Sequence, residues 1–191
     1  MIDMMGPVAP PATSGFTRLR GLVREATLAA SSHNTQPWKF KLGKRSIGIF
    51  PDLTRRCPVV DPDDHHLFVS LGCATENLVC GALANGLYAH VDGRADRVEI
   101  ACEDTLPVRS ALYDALPQRQ CTRSTYDGQS ISAGDLELLE RAARGPGVHP
   151  VVLTDRSDIE TVLECVAHGT AVQIRDRAFV NELATWIRFN E

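Results

Sequence analysis

Apolar residues recur at helical spacing near the start of the chain and then alternate with polar residues. From Thr17 onward they follow i, i+3, i+4 spacing and predict a helix, at Leu19, Leu22, Val23, Ala26 and Ala30. Pro37 cannot continue a helix, and the alternation after it predicts two strands, residues 38–42 and 46–50, joined by a turn at Gly43. A helix followed by a hairpin therefore opens the predicted fold.

The longest apolar stretch reads HLFVSLGCATENLVCGALANGL and ends at Asn85-Gly86, a pair that commonly terminates helices. Because it is apolar on most sides, it predicts a helix at the centre of the core. Cys73 and Cys80 are seven positions apart in this helix and are expected to pack in the core. Asn77 is expected either to brace a neighbouring loop or to form a hydrogen bond within its own helix.

Short strands and helices alternate along the rest of the chain. The predicted elements are strands at 88–91 and 97–101, a helix at 108–116, a helix that starts with the capping box Ser132–Asp135, an edge strand in GPGVHPVVLTD, and helices at 158–167 and 175–189. This pattern predicts an α+β fold, with a mixed, mainly antiparallel sheet flanked by helices around the central apolar helix. Residues 1–16 are rich in Pro, Gly and Ala and are expected to form a flexible leader.

Composition and charge narrow the classes of function. A chain of 191 residues with 43% hydrophobic residues can form one domain with a sizeable core. Its formal net charge of -4 gives no basic field for a nucleic-acid partner. We expect no membrane partner and a cytoplasmic protein, because no apolar run approaches the length of a transmembrane helix and the N-terminus lacks a secretory signal pattern. The six cysteines include no CxxC pair, so neither a zinc site nor a disulfide framework is expected.

The most polar connection lies between the first predicted helix and the first predicted strand. It reads AASSHNTQPWKF and contains two serines, a histidine, an asparagine and a glutamine before Pro37-Trp38. Short hydroxyls and amides can bind a hydroxylated or phosphorylated ligand, and Asn34 tolerates a left-handed backbone. His33 is expected to be an exposed loop residue, with a ligand contact as the alternative.

Two further groups of residues could suggest other chemistry. Ser31 and His33 are two positions apart in one loop and can seldom point at each other, and no GxSxG surrounds the serine, so hydrolysis is disfavoured. The pair His65-His66 follows three aspartates, Asp61, Asp63 and Asp64. These carboxylates come directly before an apolar helix, so we expect them to cap that helix rather than to bind a metal.

SSHNTQPW resembles the signature loop of the FMN-dependent nitroreductase family, in which a helix ends in Ser-Ser-x-Asn-x-Gln-Pro-Trp before a central strand. RQCTRSTYDG, residues 119–128, resembles the family's arginine segment, which in standard members precedes that loop. This inverted order, together with FPDLTRRCPVVDPDDHHLFVSLGCATENL, resembles the single-chain Acg-like branch, in which two degenerate halves are fused. The resemblance implies a first half at 17–116 and the start of a second half at 117–191, truncated relative to that branch.

The resemblance also implies an FMN site. Its expected contacts are seven residues, Ser31, Ser32, Asn34, Arg119, Gln120, Cys121 and Arg123. The family usually has a second arginine and a serine at the positions of Gln120 and Cys121, so a weaker thiol replaces one hydroxyl contact here. Arg119 and Arg123 can converge on the phosphate if their segment is helical. Gln36 is expected to brace the loop, and Pro37-Trp38 to pack into the core.

The implied activity is that of an FMN-binding oxidoreductase. It would move hydride from NAD(P)H through the flavin to a nitroaromatic, quinone or similar small-molecule acceptor. The alternative is a flavin-sequestering or storage protein with little turnover, because the Acg-like branch is associated with a lid over the flavin. No general acid stands out, so no catalytic residue is assigned. If the chain ends at Glu191, it is expected either to form a homodimer that covers the unfinished second half or to expose apolar surface there.

Overall fold

The computed structural model describes residues 15–122 and 124–188. The described residues divide into two compact units, one with residues 15–119 and 182–188, the other with the described part of 120–181. The leader predicted at 1–16 lies mostly outside the described residues, and its last two positions, Gly15 and Phe16, already belong to the first helix.

The first unit contains a four-stranded antiparallel sheet with the spatial order β1-β2-β4-β3. Its strands are β1 Trp38–Leu42, β2 Ser46–Pro51, β3 Leu87–Gly93 and β4 Val98–Asp104. Phe40 of β1 lies opposite Ile49 of β2, and β4 pairs with both β2 and β3. The sheet confirms the predicted α+β fold, and its strands begin and end within a few residues of the predicted bounds.

Two helices of the first unit form its core with the sheet: α1, Gly15–Ala26, and α2, His65–Ala84. The buried face of α1 has the predicted spacing, at Leu19, Leu22 and Ala26. The same core contains five residues of α2 and six of the sheet, namely Leu67, Leu71, Ala74, Leu78, Ala82, Trp38, Ile47, Ile49, Leu87, Ile100 and Cys102. Each buried side chain of leucine or isoleucine size stabilises the fold by about 1.5–3 kcal/mol. The predicted central helix is confirmed.

One face of α2 is not covered by this core. Phe68, Val69 and Cys73 are exposed there, and Cys80 is half-buried. The prediction that Cys73 packs in the core is therefore wrong. At about 100° per residue, Cys73 lies about 200° around the helix from buried Leu71, which places it on the opposite face.

By length and composition alone, α2 is the one helix in the described ranges that could cross a membrane. The expectation that no apolar run approaches that length is therefore corrected. The core of the first unit accounts for the composition of α2, because a helix whose face packs against both a sheet and another helix must be apolar over much of its surface.

Both ends of α2 are fixed by side chains or backbone that the sequence identifies. Asp61 is only 4% exposed, and its two carboxylate oxygens accept the N–H groups of His66 and Leu67 at 3.0 and 2.9 Å. The predicted capping role of the aspartates is confirmed at this residue. At the other end, Gly86 has a φ of 69°, which glycine adopts without strain as the chain turns into β3.

A short helix, α3 Ala111–Ala115, follows the sheet and is shorter than the helix predicted at 108–116. The N–H of Val108 donates to the carbonyl of Leu83 at 2.9 Å, so this residue attaches the chain to α2 and is not helical. The helix begins after Ser110, whose hydroxyl oxygen accepts the N–H of Tyr113 at 3.2 Å.

The second unit contains α4, Ala133–Ala143, α5, Arg156–Arg175, and the first half of α6, Arg177–Trp186. The Ser132 hydroxyl oxygen accepts the N–H of Asp135 at 3.1 Å, which confirms the predicted cap, and the hydroxyl donates to the Asp135 carboxylate at 2.7 Å. The carboxylate thus reaches back to the Ser132 hydroxyl and not to its backbone N–H, as a capping box would have it. None of the described residues from 120 to 181 is buried. The exposed residues of α5 include an apolar stripe at helical spacing, Ile159, Val162, Leu163 and Val166.

Two predictions about this unit are wrong. Residues 149–154 form no strand, and an isolated bridge between Gly145 and Val148 is the nearest strand-like pairing. Pro150 lacks a backbone donor there, and a strand needs a partner for its hydrogen bonds. α5 continues to Arg175 instead of ending at 167, because one glycine, Gly169, costs a helix interior only about 1 kcal/mol.

Candidate functional site

The polar loop between α1 and β1 has an unusual backbone. Residues Ser32–Asn34 form a 3₁₀ turn, and three residues have positive φ: His33 at 49°, Asn34 at 54° and Gln36 at 52°. Each non-glycine residue in this region is less stable by about 1–2 kcal/mol than in the right-handed one. The left-handed backbone predicted as tolerable for Asn34 is observed, and contacts around the loop must stabilise all three residues.

Ser31 holds the loop closed from within. Its hydroxyl oxygen accepts the N–H of Gln36 at 2.9 Å, and its carbonyl accepts the N–H of Asn34 at 3.0 Å. The carbonyl of Ser32 accepts the N–H of Thr35 at 2.9 Å. These three N–H groups are therefore satisfied within the loop. The Ser31 hydroxyl still has its own hydrogen to donate to a ligand.

Ser32, His33 and Asn34 present the remaining polar groups of the loop. The N–H groups of Ser32 and His33 have no acceptor among the described residues, and both residues are half-buried. His33 is therefore less exposed than expected, while Asn34 is exposed. Two backbone donors, one hydroxyl and one amide form a set that suits hydroxyl and phosphate oxygens.

The exit of the loop is anchored by residues from elsewhere in the first unit. Thr35 is 2% exposed, and its carbonyl accepts the Nε–H of Arg55 at 2.5 Å. The guanidinium of Arg55 lies 5.8 Å from the ring centre of Trp186, the last residue of α6. Pro37 and Trp38 are buried, which confirms their predicted packing in the core.

The entrance of the loop is attached to α2. The side-chain amide of Asn77 donates to the carbonyl of Glu25 at 3.3 Å, and the N–H of Leu28 donates to the same carbonyl at 3.1 Å. Neither role expected for Asn77 is observed as predicted, because its amide contacts the end of α1 that leads into the loop, and not the loop itself or its own helix. Asn77 is half-buried, so water has limited access to its amide, and the carbonyl of Glu25 supplies a hydrogen-bond acceptor there.

The structure places Arg119 at the start of the polar loop. Its Nη2 donates to the carbonyl of Leu28 at 2.9 Å, across 91 positions of sequence. Leu28 precedes Ser31 by three residues, a length of chain that spans at most about 11 Å. The first unit therefore brings together the arginine and the serines that the sequence predicts to bind one ligand.

The other predicted residues of the arginine segment are not part of this unit. Gln120 and Cys121 begin the second unit and are exposed. Arg123 lies outside the described residues. Residues 119–122 are not helical, so the helical spacing on which convergence of Arg119 and Arg123 depends is not observed. The short helix α3 ends before them, at Ala115.

Tyr113 connects α3 to α1 through its hydroxyl group. The hydroxyl donates to Oε1 of Glu25 at 2.9 Å. This hydrogen bond, together with partial burial, raises the pKa of Tyr113, because a phenolate would be repelled by the neighbouring carboxylate. The guanidinium of Arg109 lies 5.1 Å from the centre of the same ring.

A carboxylate near the loop exit has its pKa shifted in the opposite direction. Asp52 accepts from Lys39 at 2.8 Å and from the hydroxyl and N–H of Thr54 at 2.7 and 3.1 Å. These hydrogen bonds lower the pKa of Asp52, since they stabilise its charged form. The N–H of Asp52 donates to the carbonyl of Pro37 at 2.9 Å, so this charged group is linked directly to the loop.

An open cleft of about 390 Å³ adjoins the exit of the loop. Its lining residues are Thr27, Gln36, Trp38, Phe40, Asp52 and Arg55. Trp38 and Phe40 give it an apolar wall. None of the predicted cofactor contacts within the described ranges is among its lining residues, so the cleft and the predicted ligand groups are separate features of the loop region.

Three residues that shape this site have no signal in the sequence that identifies them: Glu25, Arg55 and Tyr113. Their partners are 88 positions away for the Glu25–Tyr113 pair and 20 positions away for Arg55 and Thr35. Helical periodicity places Glu25 on the polar side of α1 and gives no indication of a partner. No local signal in the sequence could have identified these contacts.

No protein-family model matches the chain. Two proteins of Mycobacterium tuberculosis are similar to it: "Putative NAD(P)H nitroreductase MT3217" of strain CDC 1551 / Oshkosh and "Putative NAD(P)H nitroreductase Rv3131" of strain ATCC 25618 / H37Rv. Each is 30% identical to it over 97% of the chain. The chain spans 56% of the length of each relative. This similarity supports the nitroreductase family that the polar loop resembles.

Proposed function

We propose that this chain is an FMN-binding oxidoreductase of the nitroreductase type that uses NAD(P)H to reduce a small-molecule acceptor such as a nitroaromatic or a quinone. The observation that carries the proposal is the position of the Arg119 guanidinium at the start of the polar loop. The names of the two similar proteins support the reaction class and the electron donor. When bound, FMN would supply the redox chemistry, hydride uptake from NAD(P)H and its transfer to the acceptor.

The polar groups of the first unit fit a phosphorylated flavin. A dianionic phosphate is best held by a guanidinium and by backbone N–H groups, which Arg119, Ser32 and His33 can supply. The hydroxyls of Ser31 and Ser32 and the amide of Asn34 suit the hydroxylated ribityl chain. Arg119 thus confers a preference for FMN over a flavin without a phosphate.

The loop that presents these groups is held in one conformation before a ligand arrives. Three hydrogen bonds within the loop and the Arg55 contact to Thr35 stabilise its left-handed residues. A loop that is ordered in advance loses less conformational entropy on binding, so a larger share of the contact energy contributes to affinity. The role of these residues is therefore to bind and orient the cofactor.

An anaerobic absorption spectrum tests the proposed function. The chain is mixed with FMN and freed of unbound flavin, and NADH or NADPH is then added. We expect a yellow protein whose visible flavin band is bleached by one of the nucleotides and returns when a nitroaromatic or quinone is added. A yellow protein that neither nucleotide bleaches would favour the sequestering alternative. A colourless protein would contradict flavin binding altogether.

Replacement of Arg119 tests its assigned role in the same preparation. Arg119→Ala removes one charge-assisted contact to the phosphate, which is worth about 1.5–3 kcal/mol, so FMN affinity should fall by about 10- to 150-fold. Arg20→Ala is the matched control, because Arg20 is an exposed arginine on α1. An equal loss of FMN affinity in both variants would show that Arg119 acts only through net charge.

A further inference from the structure

The carboxylate of Glu25 occupies space that a glycine of α2, Gly81, leaves open. Oε1 of Glu25 accepts the Tyr113 hydroxyl at 2.9 Å, while Oε2 is buried and has no hydrogen-bond partner among the described residues. A Cβ at Gly81 would overlap this second oxygen. A residue with a side chain at position 81 would therefore have to displace the Glu25 carboxylate.

Glu25 joins four parts of the first unit. Its carbonyl accepts from Leu28, the residue after which the loop begins, and from Asn77 of α2. Its carboxylate accepts from Tyr113 of α3. The carbonyl of Leu28 in turn accepts from Arg119. Tyr113 and Arg119, six residues apart, are thus both attached to the same turn of chain, residues 25–28.

The segment that contains Tyr113 depends on such attachments for its position. α3 has five residues and, at that length, is not stable as an isolated helix. Before it, Val108 is attached to Leu83 of α2, and after it the N–H of Arg119 donates to the carbonyl of Ala115. The position of α3 therefore determines where the backbone of Arg119 lies. The Tyr113 hydroxyl in turn attaches α3 to α1.

We propose that Tyr113 and Glu25 are positioning residues for Arg119. Their hydrogen bond fixes α3 against the end of α1, and this keeps the guanidinium of Arg119 at the start of the polar loop, where it contacts the FMN phosphate. The inference rests on the proposed FMN binding. It goes further in assigning the preference for a phosphorylated flavin to a pair of residues that do not touch the flavin.

Tyr113→Phe removes this hydrogen bond with little other change. The phenylalanine ring retains the contact with the Arg109 guanidinium, and the Ser110 cap of α3 uses a backbone N–H that the substitution keeps. Tyr88→Phe is the matched control, because Tyr88 is 54% exposed on β3. Both variants lose one hydroxyl group, but only Tyr113→Phe also loses the hydrogen bond to Glu25.

The experiment measures the dissociation constants of FMN and of riboflavin, which lacks the phosphate, for each protein. The wild type should prefer FMN, and Arg119→Ala should lose that preference. Tyr113→Phe should weaken FMN binding about fivefold, the equivalent of one hydrogen bond of about 1 kcal/mol, and leave riboflavin binding unchanged. Glu25→Gln keeps an oxygen that can accept from Tyr113 and should retain the preference, whereas Glu25→Ala should behave like Tyr113→Phe. Tyr88→Phe should match the wild type.

The outcomes separate this inference from the proposed function. If Tyr113→Phe binds both flavins as the wild type does, or weakens both equally, the pair has no positioning role and the inference is overturned. A wild type that binds FMN and riboflavin equally well overturns the inference while flavin binding stands. A wild type that binds neither flavin overturns the proposed function, and the inference with it.

Discussion

Single residues at the end of α1 determine how the polar loop and Arg119 are held together. Glu25 is the residue on which most of these contacts converge, and its carboxylate fits because position 81 of α2 is a glycine. The contact between Glu25 and Tyr113 is partly buried and joins α1 to α3.

Gly81→Ala should give less stabilisation than an ordinary glycine-to-alanine change in a helix. Alanine in a helix interior is favoured over glycine by about 1 kcal/mol, and Gly72→Ala on the same helix should show this gain, because nothing lies within 4 Å of its added Cβ. At Gly81 the added methyl group displaces the Glu25 carboxylate and breaks the bond to Tyr113, a loss of about 1 kcal/mol. Urea unfolding of both variants measures the difference. Equal gains would contradict the observed packing.

Tyr113 should titrate above the usual tyrosine pKa of about 10. A raised pKa in the folded state means that the hydroxyl contributes stability below pH of about 10, and that this contribution is lost as the pH rises through the folded-state pKa. An ultraviolet titration of the chain's three tyrosines should show a step at high pH that is missing in Tyr113→Phe. Loss of a step near the ordinary value would contradict the hydrogen bond to Glu25.

At the scale of elements, the helix α2 depends on a cap that the sequence shows. Asp61→Ala removes a buried carboxylate that accepts two N–H groups of the first turn, so the free energy of unfolding should fall by about 1–2 kcal/mol. Asp63→Ala is the matched control, because the one hydrogen bond that its side chain accepts from the described residues, from the N–H of His65, is 3.4 Å long and exposed. That variant should lose less than about 0.5 kcal/mol in the same urea experiment. Equal losses would show that charge near the helix end, and not the cap, is responsible.

Helices and strands that follow from the local spacing of apolar residues were predictable from the sequence. A strand that needs a neighbouring strand to pair with was not. The spacing of Leu19, Leu22 and Ala26 predicts α1, since a helix buries every third or fourth residue regardless of what it packs against. The apolar residues at 151–153 gave the same kind of local signal for a strand, but no strand pairs with them in the described structure. A helix end was predicted correctly where a side chain caps it, as at Ser132. The predicted end at 167 was wrong, because α5 continues through Gly169 to Arg175.

At the scale of the whole molecule, the part of the candidate site that is contiguous in the sequence was predictable, and the part that depends on distant contacts was not. The loop residues from Ser31 to Trp38 form a contiguous motif, so the sequence alone identifies them. The same motif does not show that the Ser31 hydroxyl is already used to close the loop, nor that Glu25 and Tyr113 link α1 to α3. These contacts arise from folding across long stretches of chain, which no local pattern encodes.

The central claim is that the first unit binds FMN through the polar loop and Arg119. The most direct test is the melting temperature of the chain as FMN is added, with flavin fluorescence followed in parallel. Because a ligand that binds the folded state stabilises it, FMN at 100 times its dissociation constant should add about 2.7 kcal/mol to the free energy of unfolding and raise the melting temperature. Arg119→Ala should need at least about tenfold more FMN for the same rise. A melting temperature that stays constant at every FMN concentration would contradict the claim.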